Sequence, residues 1–337
     1  MRARTRWTAG VTAVAVSVVI AGCGSADDGP GDVPTVAPAT AAVSPRDTAA
    51  PAGAVTPAPG GSDVAVAGST VAALTGDGVR LYGTGAPTQA PPREVKTGAL
   101  VAIVADGDGF VGLGAKGLVQ ISSGGDVREV PVTVDGPLTL AIDGDKTLVG
   151  TSRGHLLVVG EDGRLAHDIA GFKRVDGITV APRTAANPGQ VVVVDRAQSS
   201  VTPVDVDTGE LKAALRAGNG VTDSVVDRFG RVIASNTRDD QLVAFFGQPL
   251  VMRFRYPVAG SPYALAYDEK RDILWVSTTG DNQAIAFDLS SGEPVETDRI
   301  PTVGQVGAMA VDPRDGTLYL LSARGDGLQA VPAGNPR

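Results

Sequence analysis

Short stretches of alternating or continuous apolar residues recur along the chain from about residue 60 onward, and the clearest set lies between Ser261 and Pro301. Four of them have the length and the β-branched or aromatic content of strands, namely ALAYD, ILWVST, AIAFDL and PVETDRI. The polar clusters between them contain the Gly, Asn, Asp and Ser residues that favour tight turns. The pattern predicts four antiparallel strands in about forty residues.

The same unit recurs in weaker copies. Its innermost strand is a short Ala- or Val-rich segment, often followed by Asp and a turn, with anchors at Ala65, Ala102, Ala141, Val180, Val225, Ala266 and Ala310. Successive anchors lie about 37 to 45 residues apart, which is the period of propeller blades. The sequence therefore predicts an all-β fold, a seven-bladed β-propeller of four-stranded antiparallel blades. Six or eight blades are the alternative counts, because the first two copies are weak.

The last unit supplies only three strands before Arg337. An open ring would leave an unpaired sheet edge. We expect the segment from 53 to 56 to provide the missing strand and close the ring. The propeller domain is accordingly placed at residues 61–337.

The N-terminal segment differs from the rest of the chain. Three arginines within the first six residues precede the apolar run Val11 to Ile20, and Ile20-Ala21-Gly22-Cys23 follows. This arrangement closely resembles a bacterial lipobox, which implies that a lipoprotein signal peptide, residues 1–22, is removed and that Cys23 is acylated. An ordinary signal peptide or a membrane-spanning helix with an incidental cysteine is the alternative, although the apolar run is shorter than the roughly 20 residues needed to span a bilayer.

Residues 23–60 are rich in Pro, Ala, Thr, Ser and Gly. Such a composition buries little apolar surface and samples extended conformations. It predicts a disordered tether that holds the domain away from the membrane. A threonine-rich stalk carrying sugars is the alternative.

Composition and charge narrow the function classes. The chain has 29 basic and 37 acidic residues, a net charge of −8, and no basic run, which argues against nucleic acid as a partner. Hydrophobic residues make up 43% of the chain but aromatic residues only 4%, so Val, Ala, Leu and Ile must form the core. Cys23 is the only cysteine, so we expect no disulfide.

Five cations recur at nearly the same place, the turn between the second and third strands of a unit: Lys116, Arg153, Arg196, Arg238 and Arg324. All such turns lie on one face of a propeller. The cations therefore predict a basic rim that binds an anionic ligand or an acidic protein segment. The alternative is that they cover the blade edges and pair with aspartates of the same turns, such as Asp195, Asp239, Asp240 and Asp326.

Residues suited to catalysis are scarce. His155 and His167 flank one turn and, with Glu161 or Asp162, offer at most an incomplete metal site. Aspartates follow several innermost strands, where Asp stabilises turns through nearby amides; calcium binding is the alternative. These residues are Asp106, Asp108, Asp143, Asp145, Asp227 and Asp312. We predict no catalytic residue, no metal and no cofactor.

The segments ALAYDEKRDILWVST, IAFDLSSGEPV and AVDPRDGTLYLLS resemble the YncE-like, or YVTN-repeat, propellers. The lipobox, the Pro-rich tether and the stretch from about 185 to 332 are similar to mycobacterial and related actinobacterial conserved lipoproteins of the LppL type. The resemblance implies an envelope location and a propeller. It carries no established activity, and no lactonase acid pair or quinone site can be identified in this chain.

These observations predict a monomeric protein anchored in the cell membrane through Cys23, on its extracytoplasmic face. One loop face would bind an envelope protein or an anionic ligand, as a binding or scaffold module. The competing prediction is a lactonase or hydrolase acting at the mouth of the central channel. Clustered carboxylates around a deep axial pocket would favour the enzyme, whereas a channel lined by Ala, Val and Gly would favour binding.

Overall fold

The computed structural model describes residues 34–46, 49–76, 78–85 and 91–334. It confirms the predicted fold class, because seven antiparallel sheets form the blades of a β-propeller. The predicted signal peptide, Cys23 and residues 24–33 lie outside the described residues. Among the residues that are described, no helix has the length and apolar character needed to cross a bilayer.

The first strand of the chain, β1 (Ala54–Thr56), belongs to the last blade. Blades 1 to 3 follow, with four strands each: β2 (Gly61–Ala67), β3 (Thr70–Thr75), β4 (Gly78–Gly83), β5 (Arg93–Val95); β6 (Leu100–Asp106), β7 (Gly109–Gly114), β8 (Gly117–Ile121), β9 (Val127–Pro131); β10 (Pro137–Asp143), β11 (Lys146–Thr151), β12 (His155–Gly160), β13 (Leu165–Ala170).

Blade 4 has a broken outer strand, because β17 and β18 both pair with β16. Its strands are β14 (Gly177–Val180), β15 (Val191–Asp195), β16 (Ser200–Asp205), β17 (Glu210–Leu211) and β18 (Leu215–Arg216). Blades 5 to 7 contain β19 (Val221–Val226), β20 (Val232–Asn236), β21 (Gln241–Phe246), β22 (Val251–Pro257); β23 (Pro262–Asp268), β24 (Ile273–Thr278), β25 (Gln283–Asp288), β26 (Val295–Pro301); β27 (Val306–Val311), β28 (Leu318–Ser322) and β29 (Leu328–Val331).

The innermost strands surround a central channel. Each of them contacts the innermost strands of the blades before and after it, and β27 contacts β2, so the ring is closed. All seven anchors predicted from the repeat fall in these innermost strands. Small residues are favoured there because the sheets converge on the axis and leave little room for side chains.

The ring is closed by pairing between β1 and β29, in which Ala54 lies opposite Ala330 and Thr56 opposite Leu328. Gly53 enters this strand with a φ of +69°, and a Cβ there would lie 2.2 Å from the Ala330 carbonyl oxygen. The buried Gln329 amide fixes the entry by donating to the Ala52 carbonyl at 2.8 Å. The segment therefore supplies the fourth strand of blade 7.

Neighbouring blades pack face to face through aliphatic side chains. Leu74 of blade 1 contacts Ile103 and Phe110 of blade 2, and all three are buried. Each fully buried side chain of this size contributes about 1.5–3 kcal/mol. The half-buried Trp275 packs in the cluster shared by blades 6 and 7, so it fills a gap between these two sheets.

A buried ion pair links blades 5 and 6. The carboxylate of Asp227, which is fully buried, accepts the N–H groups of Phe229 and Arg231 and pairs with the Arg231 guanidinium. That guanidinium also donates to the carbonyls of Leu289 and Gly292 in blade 6, at 3.2 and 3.0 Å. Removal of Arg231 would therefore leave both a buried charge and two carbonyls without their donor.

Replacing Arg231 with Leu should lower the free energy of unfolding by about 3–5 kcal/mol, because the Asp227 carboxylate stays buried without its cation. Denaturation by guanidinium chloride measures this loss. The matched control is Arg299→Leu, which breaks a pair with Glu296 whose side chains are 40% and 42% exposed. The control should lose at most about 1 kcal/mol, and equal losses in the two variants would contradict the special role of the buried pair.

Candidate functional site

We define the loop face as the end of the propeller that carries two kinds of connection. One is the turn between the second and third strands of each blade, and the other joins the outer strand to the next blade. The structure places the five predicted cations in these turns: Lys116 in blade 2, Arg153 in blade 3, Arg196 in blade 4, Arg238 in blade 5 and Arg324 in blade 7. They share one face, although their surroundings differ.

Residues 34–46, which we call the strap, belong to the predicted tether and follow an irregular extended course along the loop face. The Val36 amide donates to the Ala197 carbonyl of blade 4 at 2.7 Å. At its other end, the strap reaches blades 6 and 7 through Ser44 and Pro45. Ala39 and Ser44 are buried. In the described part of the chain, the hydrogen bonds of the strap fall on blades 4 to 7, which we call the covered sector.

Three of the predicted cations hold the strap. The guanidinium of Arg196 donates to the Ala39 carbonyl, that of Arg238 to the Ala37 carbonyl at 2.8 Å, and that of Arg324 to the Ser44 carbonyl at 3.0 Å. Arg324 also pairs with Asp326 of its own turn at 2.6 Å. The structure therefore places these three guanidinium groups against the chain's own strap, and for Arg324 it also shows the turn pairing that the sequence offered as the alternative.

The other two cations lie in blades 2 and 3, which we call the open sector. Lys116 is exposed. Arg153 pairs with Asp135 at 3.2 Å, but the two side chains are 69% and 78% exposed. Exposed pairs of this kind contribute about 0–1 kcal/mol, so both cations can turn to another anion at little cost.

Three further residues contact the strap through their side chains: Ser261, Asn282 and Gln305. Each is a non-glycine residue with positive φ, at 62°, 54° and 55°. The Asn282 amide donates to the Pro45 carbonyl at 2.9 Å. Asn282 lies in the turn TTGDN, residues 278–282, between the second and third strands of blade 6. This is the turn of the covered sector that has no cation, and Asn282 provides a neutral donor there instead.

The central channel has a mostly aliphatic wall. At the end opposite the loop face it forms a cavity of about 660 Å³, lined by residues of the innermost strands such as Val104, Ala105, Leu140, Ala141 and Ile178. Glu269 and Lys270 lie at its rim. Apart from Glu269, Lys270, Thr179, Ser224 and Tyr267, the lining residues are apolar.

Two carboxyl groups belong to residues near the start of innermost strands, toward the loop face. Asp63 begins the regular part of β2 and accepts the Ile103 amide of blade 2 at 2.9 Å. Asp223 of β19 accepts the Leu265 amide of blade 6 at 2.8 Å. Each carboxyl also accepts the amide of the next residue, Val64 or Ser224, at 2.8 Å. The two aspartates therefore play equivalent roles, each joining its innermost strand to that of the following blade.

Burial raises the pKa of Asp63 to about 7 and that of Asp223 to about 6, although the amide hydrogen bonds oppose the shift. Repulsion from Asp223 adds to the raised pKa of Asp63, whereas Arg196 lowers that of Asp223. Carboxyl groups with pKa values near neutrality are candidates for proton transfer. Both were missed from the sequence, where their signal was a lone Asp within an apolar inner strand.

Four of the remaining candidates form ion pairs or hydrogen-bonded pairs with single side chains. His155 Nδ1 lies 2.6 Å from Asp168 Oδ1, while His167 lies opposite Val158. Asp143, Asp227 and Asp312 pair with Arg183, Arg231 and Arg314 respectively. Among the described residues, no three side chains of the metal-binding types come together.

No protein-family model and no curated protein sequence matches this chain. Several solved structures are similar. Hydrazine synthase of Kuenenia stuttgartiensis shares 15% identity with a TM-score of 0.66, over 83% of this chain and 97% of that one. A streptogramin B lyase shares 12% with a TM-score of 0.65, over 83% and 96%. A chain of the mitotic checkpoint complex shares 13% with a TM-score of 0.71, over 89% and 97%. Identities this low establish the fold alone.

The raised pKa of Asp63 predicts a pH dependence of stability. The folded protein retains this proton to higher pH than the unfolded chain, so stability should fall as pH rises from about 4 to about 7. Asp63→Asn keeps an acceptor for the Ile103 amide but carries no charge. The variant should match the parent at pH 4 and exceed it in free energy of unfolding by about 4 kcal/mol at pH 8, since one pKa unit corresponds to about 1.4 kcal/mol.

Thermal melts between pH 4 and 8 measure this difference. Asp288→Asn is the control, because hydrogen bonds from Ser290 lower the pKa of Asp288. The stabilising contribution of the Asp288 carboxylate should therefore be constant above about pH 4. Asp288→Asn should then leave the slope of stability against pH between pH 5 and 8 unchanged. An Asp63→Asn melt that runs parallel to that of the parent over the whole range would contradict the assignment.

Proposed function

We propose that this protein is a lipid-anchored binding or scaffold module of the cell envelope, which acts through its loop face. The observation that carries the proposal is the array of side-chain donors on that face, which holds an extended polypeptide by its carbonyl groups. A binding surface needs such an array of oriented donors. The aliphatic channel wall supports the same proposal, because it offers few groups for chemistry.

The lipid anchor rests on the sequence Ile20-Ala21-Gly22-Cys23, which resembles a lipobox. In this proposal, Cys23 receives a diacylglyceryl group and the propeller lies on the extracytoplasmic face of the cell membrane. Acyl chains on one residue can hold a protein stably at a bilayer. The absence of any other cysteine in the sequence fits an oxidising compartment, where an unpaired thiol would be a liability.

In the open sector, the partner is an anionic ligand or an acidic segment of an envelope protein. Lys116 and Arg153 are exposed and lie in the same turn of neighbouring blades. The net charge of −8 would repel acidic partners from the rest of the surface. A local pair of cations therefore gives an acidic partner both attraction and orientation.

A second candidate function is an extracytoplasmic lactonase or hydrolase at the mouth of the channel. One observation favours it: Asp63 and Asp223 have pKa values near 7 and 6 and interact with each other. The similarity in fold to a streptogramin B lyase is compatible with it. Both carboxyls, however, already accept two backbone amides each, so they are less suited to abstract a proton from a substrate.

The anchor is tested by Cys23→Ser in a bacterial host that processes lipoproteins. We expect the parent protein in the membrane fraction and the variant in the soluble extracytoplasmic fraction, because the serine hydroxyl does not form the thioether. Immunoblotting of the fractions and the mass of the mature N-terminus measure the change. A parent protein whose mature N-terminal peptide lacks the mass of a diacylglyceryl group on Cys23 would contradict anchoring through Cys23.

The open sector is tested by the double charge reversal Lys116→Glu and Arg153→Glu. Affinity capture from detergent-solubilised envelope membranes, followed by quantitative mass spectrometry, should show partners that bind the parent and fall about tenfold or more with the variant. Arg164→Glu is the matched control, since Arg164 is 89% exposed and lies in the opposite face, between the third and fourth strands of blade 3. Partners that are recovered equally from all three proteins would remove the open sector from the proposal.

A further inference from the structure

The strap is bound most closely between blades 6 and 7. There the protein satisfies the main-chain groups of three strap residues, Ala42, Ser44 and Pro45. The Ala42 amide donates to Ser261 Oγ at 3.3 Å, and the Ala42 carbonyl accepts from Gln305 Nε2 at 2.9 Å. The Ser44 amide donates to Gln305 Oε1 at 3.1 Å. The Gln305 side chain therefore forms hydrogen bonds with both a main-chain donor, the Ser44 amide, and a main-chain acceptor, the Ala42 carbonyl.

The Ser44 side chain enters the protein. Its hydroxyl donates to the Thr279 carbonyl at 2.7 Å and accepts a hydrogen bond from the main-chain N–H of Gln305 at 2.8 Å. Ser44 is 2% exposed. Val43, in contrast, is 89% exposed. We call this site the Ser44 groove and define it by Ser261, Thr279, Asn282, Gln305 and Arg324.

The segment has the features of a peptide ligand. Extended peptides are commonly recognised through main-chain hydrogen bonds, with a pocket for one or more alternate side chains. Pro45 has no N–H that would need a partner, and a residue before proline is restricted to extended conformations, which keeps Ser44 in the bound geometry. The groove therefore selects a small residue, any residue, serine and proline in succession.

The backbone of the groove supports a binding role. Gln305 and Ser261 each stand directly before an innermost strand with positive φ, at 55° and 62°. The equivalent position in blade 3 is Gly136, with a φ of +67°. A non-glycine residue in this region is strained. The groove retains two side chains where glycine would fit without strain, and both side chains contact the strap.

The ring does not depend on the strap for closure. The closing strand β1 pairs with β29, and its entry is fixed by Gln329 through Ala52, which lies beyond the strap in the chain. The strap can therefore leave its groove while the seven blades stay paired. An occupant covalently tied to the site competes at an effective concentration in the millimolar range, so it sets a threshold for any other ligand.

We infer that the Ser44 groove is a binding site for an extended peptide of a partner protein, with the pattern small residue, any residue, Ser, Pro, and that the strap occupies it in cis. The inference rests on the proposed binding function of the loop face and specifies the class of partner. The partner segment displaces residues 42–45 and makes the same hydrogen bonds to Gln305, Asn282 and Arg324.

The test uses the full mature chain with Cys23→Ser and a protease recognition sequence inserted between Arg46 and Ala49. After cleavage, a fluorescently labelled peptide with the sequence of residues 34–46, PTVAPATAAVSPR, is added and its anisotropy is followed. We expect saturable binding that depends on cleavage. The Ser44→Ala peptide should bind about tenfold or more weakly, because it lacks two hydrogen bonds of about 1 kcal/mol each. The Val43→Ala peptide should bind unchanged.

A variant of the protein separates binding from folding. Gln305→Gly removes the side chain that forms hydrogen bonds with the strap, and glycine adopts the positive φ at this position without strain. The melting temperature of the variant should therefore stay near that of the parent, while peptide binding is lost. Lys116→Ala, in the open sector, should bind the peptide normally. Equal binding of the Ser44→Ala peptide, or of the Gln305→Gly protein, would overturn the inference.

Two further outcomes would also overturn it: retention of the cleaved strap without exchange for the labelled peptide, and absence of saturable binding once the strap has dissociated. The assay involves neither a membrane nor an envelope extract. Its failure would therefore leave the anchor and the open sector standing, and failure of those experiments would leave the peptide site standing.

Discussion

The convergence of seven sheets on one axis is the constraint on which the rest of this structure depends. Each blade can bury its two faces only against the blades on either side, so a partial ring would expose apolar surface such as Leu74 or Phe110. The innermost strands accordingly contain many small residues, as in β2 and β27. Because turns of one kind then fall on one face, the fold alone brings residues from distant parts of the sequence together on the loop face.

The repeat could be predicted from the sequence because each blade repeats the same succession of strand-forming and turn-forming residues. A strand pattern with turn residues every few positions is readable without knowledge of tertiary contacts, and ILWVST coincides with β24 as the structure has it. The position of the five cations followed from the same alignment. Their partners did not, because the carbonyls that Arg196 and Arg238 contact lie about 157 and 201 residues away in the chain.

The strap shows why the rest could not be predicted. Its Pro- and Ala-rich composition predicts little burial, and only Ser44 contributes a side chain to the hydrogen bonds that we describe. Its binding depends on main-chain groups, which every sequence possesses, and on distant donors such as Gln305. Asp63 and Asp223 were missed for a related reason, since a single Asp in an apolar strand does not reveal that the next blade offers an amide at that point.

The pairing of β1 with β29 joins segments about 275 residues apart in the sequence. A chain that is synthesised from its N-terminus therefore presents the first strand of this pair early and the last one only near completion. Until then, β1 has no partner, and the entropy of closing so long a loop makes the pairing a late event. The seventh sheet is therefore completed only when nearly the whole chain is present, and the ring closes with it.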